Sequence, residues 1–262
     1  MHDHITQELG TSMNLRSITP AALLLATTLA LAGCGTPSAS GGSSSPATGE
    51  SLAASPSATP TPTPTPTPKA YAEKELAAII AGLKDAAGQP LAAVSASELD
   101  QGIEAAGEMM AAAKITPAEC GALADTSAQI PEGSTYAAGG SESAKEETIT
   151  VLTLVAVTDP ELLSSNVEAS QTNSAKCSNF TLELQGQKIT TKTEVLDVKT
   201  AGDNSFSSLS TQTLPSGQKL STVVVMGTKG TLSASAVASG TGLTSDASVD
   251  LARLVDAALA KG

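Results

Sequence analysis

The sequence predicts an α+β fold: an antiparallel β-sheet of about five to six strands with helices packed on one side. Two observations lead to this prediction. Segments with apolar residues at helical spacing lie before and after the middle of residues 69–262, and segments rich in Val, Thr and Ile lie between them. Short polar turns separate neighbouring strand segments, so we expect hairpins and antiparallel pairing. These 194 residues are a normal size for one domain.

Five helices are expected in this domain. The first covers residues 71–83, and the second runs from Ser97 as its N-cap towards Ala112. The third should start at Thr116, because Pro117 and Glu119 follow it as first-turn proline and capping-box acid. Asp159 and Asp246 should start the fourth and the last helix. In the last helix we expect these side chains to be buried: Val249, Leu251, Leu254, Val255 and Leu259.

Six segments read as strands, because they combine β-branched residues with flanking turn residues. They are residues 148–157, 179–184, 188–198, 205–213, 219–226 and 230–239. Turns at 185–187 and 227–229 should close two hairpins.

The N-terminal segment predicts a lipoprotein signal peptide over residues 1–33. Arg16 supplies a positive charge, residues 21–33 are apolar, and Leu31, Ala32 and Gly33 precede Cys34 as a lipobox. Cleavage before Cys34 would leave its thiol to carry diacylglycerol. Asp3 and Glu8 are unusual before such a segment, which favours Met13 as the true start. A secretory signal with a coincidental cysteine is the other interpretation.

A tether is expected between this cysteine and the folded domain. Residues 34–68 are rich in Gly, Ser, Ala, Thr and Pro, a composition that cannot bury enough apolar surface to fold. Residues 59–68 alternate Thr and Pro and should form an extended polyproline II rod of roughly 30 Å. The domain would therefore stand away from the membrane, on the extracytoplasmic side.

The remaining two cysteines, Cys120 and Cys177, form an even pair once Cys34 is assigned to lipid. A disulfide is the default expectation for such a pair in an oxidising compartment. It would close a loop of about 58 residues and contribute on the order of 4 kcal/mol by the chain-entropy argument.

The composition argues against several classes of chemistry. Both histidines, His2 and His4, precede the cleavage site, so we expect no metal site, no cofactor and no histidine-dependent catalytic site. No convincing Ser-Lys or nucleophile-elbow motif is present either, and the protein is expected not to be an enzyme. Residues 69–262 carry twenty-three acids and thirteen bases, which argues against binding nucleic acid.

Several features together resemble a family. They are the lipobox with its Thr/Pro tether, the sequence Ile115-Thr116-Pro117-Ala118-Glu119-Cys120 before a short helix, and Lys176-Cys177-Ser178-Asn179-Phe180-Thr181 entering a hairpin. The closing Val223-Val224-Val225 strand, a glycine turn, a second strand and an Ala-rich helix complete the pattern. The pattern resembles actinobacterial cell-envelope lipoproteins related to the PknH-like extracellular sensor domain family. The resemblance, over roughly residues 99–260, implies a mixed domain with a groove for an extracellular ligand. It also implies two disulfides, whereas this chain permits one.

The sequence is compatible with two functions. The first is a binding or sensor-like module, anchored to the cell membrane by lipid, that takes an unknown small molecule or envelope ligand. The alternative is a carrier of a lipid or other amphiphile in an apolar cavity between the sheet and the helices. Glu142, Glu146 and Glu147 could form an acidic patch, but a solvated loop is the simpler interpretation.

Overall fold

The structure, a computed structural model, describes residues 69–124 and 130–262, so the signal-peptide and tether predictions lie outside the described residues. The helices are α1 (Glu73–Ala81), α2 (Ala96–Ala111), a 3₁₀ helix (Ala118–Ala124), α3 (Pro160–Lys176) and α4 (Ala247–Lys261). The strands are β1 (Ala92–Val94), β2 (Lys114–Thr116), β3 (Thr135–Ser143), β4 (Thr148–Ala156), β5 (Asn179–Leu184), β6 (Gln187–Val195), β7 (Asn204–Thr213), β8 (Lys219–Lys229) and β9 (Leu232–Gly240).

All nine strands form one antiparallel sheet in the order β1-β3-β4-β9-β8-β7-β6-β5-β2. The α+β class and the six predicted strands are confirmed, but the predicted count of five to six is too low. The three additional strands are β1, β2 and β3. The first two have three residues each, too few for a periodic signal, and β3 consists mainly of small and polar residues.

The prediction that helices pack on one side is wrong, because helices cover both faces of the sheet. Val225 of β8 packs in the same core cluster as Val255 of α4, whereas its neighbour Met226 packs against Val167 of α3. Successive side chains on a strand point to opposite faces, so α4 and α3 lie on opposite sides. We call the α4 side the first face and the α3 side the second face.

The main core lies between the first face and the helices α1 and α4. Its fully buried side chains include Leu76, Ile80, Leu152, Leu154, Val223, Val225 and Val255. Three alanines of β9, at 234, 236 and 238, also belong to this core. Their small side chains allow a helix to approach the sheet closely. The sequence contains two Tyr, two Phe and no Trp, so the core is filled mainly by closely packed aliphatic groups.

Two helix starts agree with the sequence and two differ. The Asp159 side chain accepts a hydrogen bond from Glu161 N at 2.9 Å, as expected for an N-cap. Asp246 is the N-cap residue of α4, as predicted, although its side chain makes no cap bond. The second helix is capped by Ser95 rather than Ser97, with Glu98 completing the capping box. Thr116 is no helix cap, since it is the last residue of β2 and joins Pro117 through a cis peptide bond.

One burial prediction for α4 is also wrong. Val249 is 45% exposed, whereas Ser248 is fully buried and its hydroxyl donates a hydrogen bond to the Ser245 backbone oxygen. The helix is rotated so that small residues face the sheet near its start. The other four predicted side chains, Leu251, Leu254, Val255 and Leu259, are buried.

The first described residue lies at one end of the strands. The Lys69 ammonium donates to Gly262 O at 2.7 Å, and Lys69 O accepts from the Thr231 hydroxyl at 2.8 Å. Thr231 lies in the β8–β9 turn, so the chain enters the described domain there. We call this end the entry end of the sheet. None of the described helices is long and apolar enough to cross a membrane.

Candidate functional site

The two cysteines of the domain are joined by a disulfide, as the sequence predicts. Cys120 lies in the 3₁₀ helix and Cys177 caps the C-terminus of α3, with their Cα atoms 5.6 Å apart. Both are buried and pack against Phe180 and Ile115. The bridge thus joins the 3₁₀ helix to the end of α3 where the chain enters β5. Disulfides of this kind persist in oxidising compartments.

The predicted lipidation site is not part of the described structure. Cys34 and the lipobox residues Leu31, Ala32 and Gly33 lie outside the described residues. The lipid anchor is therefore a prediction that rests on the sequence.

The second face carries a row of four hydroxyl side chains, which we call the hydroxyl row. It consists of Thr193, Ser210, Thr222 and Ser239, one from each of β6, β7, β8 and β9, in direct register. Thr193 bonds Ser210 at 2.9 Å, and Thr222 bonds Ser239 at 3.0 Å. Among the described residues no buried side-chain polar atom lacks a hydrogen-bond partner, so this polar layer carries no desolvation penalty of that kind.

An apolar row lies next to the hydroxyl row on the same face. It runs through Val224, Val237 and Val151, which are register partners on β8, β9 and β4. Val224 is buried, whereas Val237 and Val151 are only half-buried. The second face therefore places hydroxyl groups and aliphatic groups side by side.

None of the described helices covers the first face where the sheet extends beyond the main core. Along β6, Lys188, Thr190, Lys192 and Glu194 all point to this face and are exposed, whereas the intervening Thr191 and Thr193 are buried on the other side. This alternation indicates that α3 covers the second face of β6 while solvent covers the first.

Four lysines lie on this bare surface, which we call the lysine face. They are Lys114 of β2, Lys188 and Lys192 of β6, and Lys219 at the start of β8, all exposed. The strand register places them together. Lys114 of β2 is opposite Glu183 of β5, which is opposite Lys188 of β6. Lys219 of β8 is opposite Thr213 of β7, which is opposite Thr190 of β6. Two acids, Glu183 and Glu194, share the surface.

A cleft adjoins the lysine face at the end of the sheet away from Lys69. It has a volume of about 480 Å³ and opens between the β5–β6 and β7–β8 turns. Its lining combines aliphatic, amide, hydroxyl and ammonium groups from Gly186, Gln187, Lys188, Leu214, Pro215 and Ser216. The second turn is closed by backbone hydrogen bonds from Leu214 N to Gln218 O and from Gly217 N to Leu214 O. The cleft is therefore formed by ordered turns.

The acidic residues that the sequence offered as a possible patch lie in solvent, and a further acid near the β8–β9 turn has a structural partner. Glu142, Glu146 and Glu147 are exposed around the β3–β4 turn, as expected for a solvated loop. Asp203 accepts a hydrogen bond from Gly230 N at 2.8 Å and so fastens the β8–β9 turn. Within the described part of the chain, no three His, Cys, Asp or Glu side chains form a group that could hold a metal ion.

Among the residues that the structure describes, two ionisable groups have shifted pKa values, and both belong to the attachment of α2. The Tyr136 hydroxyl donates to the Asp100 carboxylate, which raises the pKa of Tyr136. The Ser95 hydroxyl and backbone N–H both donate to Glu98, which lowers the pKa of that carboxyl group. The Glu98 shift follows from hydrogen bonds at the start of α2, and the Tyr136 shift follows from a hydrogen bond between α2 and β3.

The lysine face is not apparent from the order of residues in the chain. Its four lysines are spread over residues 114–219 and only the strand order brings them together. One signal was available, since Lys188 and Lys192 are four residues apart in a predicted strand and must share a face.

The solved structures to which this chain is similar include two from mycobacteria. The extracellular domain of PknH from Mycobacterium tuberculosis is 14% identical, with 73% of this chain and 97% of that chain covered and a TM-score of 0.44. A putative uncharacterized protein from Mycobacterium smegmatis, an Rv0999 ortholog, is 15% identical, with 57% and 75% covered and a TM-score of 0.36. No protein-family profile matches the chain, and no curated protein matches it. Likenesses this distant carry no information about function.

Proposed function

We propose that this protein is a lipid-anchored binding module that stands on the extracytoplasmic side of the cell membrane and performs no catalysis. The observation that carries the proposal is the buried disulfide between Cys120 and Cys177, which fits an oxidising compartment. The lipobox ending at Cys34 supports the same placement independently, because it precedes a segment suited to a tether. A diacylated thiol anchors firmly, at roughly 0.8 kcal/mol for each buried methylene.

The anchor is tested by the variant Cys34→Ser in the native envelope. We expect the wild-type chain to incorporate radiolabelled palmitate and to fractionate with membranes, and the variant to lose both properties. Cys120→Ala together with Cys177→Ala is the matched control, since it removes the two disulfide-bonded cysteines without touching the lipobox. Membrane association of Cys34→Ser at the wild-type level would exclude the lipid anchor.

A second candidate function is the transport of a lipid or other amphiphile. The adjacent hydroxyl and apolar rows of the second face favour it, because Val151 and Val237 remain half-buried beside hydroxyl groups. Such a surface matches a molecule with a polar head and an aliphatic part. Native mass spectrometry of protein purified from its own envelope tests this candidate. A copurified acyl ligand supports the carrier, and repeated recovery of the protein alone argues against it.

A further inference from the structure

We propose that the lysine face binds an extended polyanion of the cell envelope, a polymer whose repeating units carry phosphate or carboxylate groups. This inference names a ligand class for the binding module and therefore rests on its extracytoplasmic placement. It requires no enzyme activity and no bound metal.

The charge distribution of the domain is the first argument. Residues 69–262 contain thirteen basic and twenty-three acidic residues, yet the lysine face holds four of the bases and two of the acids. The surface is thus net positive on a domain that is otherwise strongly negative. At an ionic strength near that of the cell, charges more than about 8 Å apart are largely screened, so a polyanion on this face responds mainly to the local lysines.

The lysines are also available to a ligand. Within residues 69–124 and 130–262, none of the four ammonium groups lies within 4.0 Å of a carboxylate. The ion pair of this part of the chain joins Arg253 to Asp250 on α4, away from the lysine face. Glu183 stands opposite Lys188 without closing such a pair. The four side chains are exposed and point away from the second face, where α3 packs.

The shape of the face suits a linear polymer. Lys188 and Lys192 are four residues apart on β6, which is about 13 Å along the strand. Lys114 and Lys188 are two strands apart, which is about 10 Å across the sheet. Lysine side chains at these spacings can each contact a different anionic group along one polymer chain. The threonine hydroxyls between them, at 181, 190 and 213, add hydrogen-bond donors.

The composition of the face argues for a polymer rather than a protein partner. Stable protein interfaces have a desolvated core with aromatic or aliphatic anchors and few charges. Here the apolar side chains of β5, Leu182 and Phe180, are buried on the opposite side of the sheet. Charged and hydroxyl groups make up the exposed side, which favours a partner held by electrostatic attraction.

The position of the face agrees with a ligand outside the membrane. The chain enters the domain at Lys69, beside the turn that follows Lys229. Lys219 lies at the other end of β8, about 33 Å away at the usual rise of a strand. The cleft beside Lys188 opens at that same distant end, where it could receive one unit of the polymer.

Binding is tested with the full-length chain purified in detergent and two defined probes. A glycerol phosphate oligomer supplies phosphodiesters and an oligogalacturonate supplies carboxylates, while neutral dextran is the reference polymer. We expect binding to at least one polyanion, none to dextran, and an affinity that falls several-fold between about 50 mM and about 200 mM salt. The probe that binds more tightly identifies the anionic group.

Charge-reversal variants locate the binding surface. Lys188→Glu with Lys192→Glu should weaken binding at least tenfold, whereas Lys74→Glu with Lys145→Glu, two exposed lysines elsewhere, changes the formal charge equally and should leave it within about twofold. Circular dichroism and thermal unfolding check that both double variants fold. An equal loss of binding affinity in both double variants would show that only the net charge of the protein matters, and this would overturn the proposal.

Two further outcomes overturn it as well. One is no binding of either polyanion by the wild type at low salt. The other is sedimentation showing that the lysine face instead holds a second copy of the chain. Because these measurements use purified protein, they are independent of the Cys34 anchor, and failure of one proposal is distinguishable from failure of the other.

Discussion

Ile80 of α1 lies directly over Gly139 of β3, so closely that a Cβ at position 139 would overlap the Ile80 Cγ2 atom. The same Cβ would also meet Ala92 O at 3.0 Å. Glycine is therefore required for the approach of α1 and β1 to the sheet. Neighbouring Gly140 points to the other face, where the nearest atom to an added Cβ is Thr150 O at 3.4 Å.

These two glycines give a matched pair of variants. Gly139→Ala should destabilise the protein by about 1–3 kcal/mol, because overpacking forces a rigid core side chain to move. Gly140→Ala should change stability by less than about 1 kcal/mol, since its Cβ finds ordinary contact distances. Urea unfolding of both variants measures the difference. Equal losses would show that α1 does not pack on β3 as described.

The disulfide should contribute a large share of the stability. Replacing Cys120 and Cys177 together by alanine opens a loop with a sequence separation of 57 residues, which should cost on the order of 4 kcal/mol. Reduction of the wild type with dithiothreitol should lower the unfolding midpoint similarly, because both treatments free the same loop. Insensitivity of the wild type to the reductant, with the double variant equally stable, contradicts the bridge.

The main core should tolerate truncation poorly at Leu154. This side chain is fully buried between the sheet and the helices α1 and α4, so Leu154→Ala should cost about 2–5 kcal/mol. Val249→Ala on α4 is the control, because Val249 is 45% exposed and its truncation should cost under about 0.5 kcal/mol. Thermal unfolding distinguishes the two positions. A comparable loss at Val249 would contradict the observed rotation of α4.

The hydrogen bond from Tyr136 to Asp100 should make a small stabilising contribution that is lost at alkaline pH. The pKa of Tyr136 is raised in the folded state, first because its hydroxyl donates to Asp100. The contribution is therefore fully present below the unfolded pKa of about 10 and is lost as pH rises through the higher folded pKa. Because Asp100 is exposed and Tyr136 is only half-buried, solvent screens the interaction and the effect is modest.

Ultraviolet titration of tyrosinate tests this bond. Asp100→Asn should shift the Tyr136 titration to lower pH, because the carboxylate no longer holds the phenolic proton. Glu104→Gln, an exposed acid on the same helix, is the control and should leave it in place. An unchanged titration in Asp100→Asn would mean that the contact does not form in solution.

The helices with strong local signals were predictable from the sequence. The Asp159-Pro160-Glu161 start and the apolar spacing of α4 depend on contacts within one or two turns, so the residue order suffices to indicate them. The 3₁₀ helix was not predictable in form, because Thr116 has the residue type of an N-cap but pairs with Thr181 of β5 as the end of a strand. Long-range pairing overrides local preference there.

The sequence by itself determined the class of the fold, the cysteine pair and the candidate anchor at Cys34. Each depends on residue type and local spacing, which the chain order records. Only the tertiary structure decided that helices cover both faces, that three weak segments join the sheet, and that Lys114, Lys188, Lys192 and Lys219 share one surface. Strand order brings together residues far apart in the chain, and alternation along each strand then selects their face, so neither can be obtained from local periodicity alone.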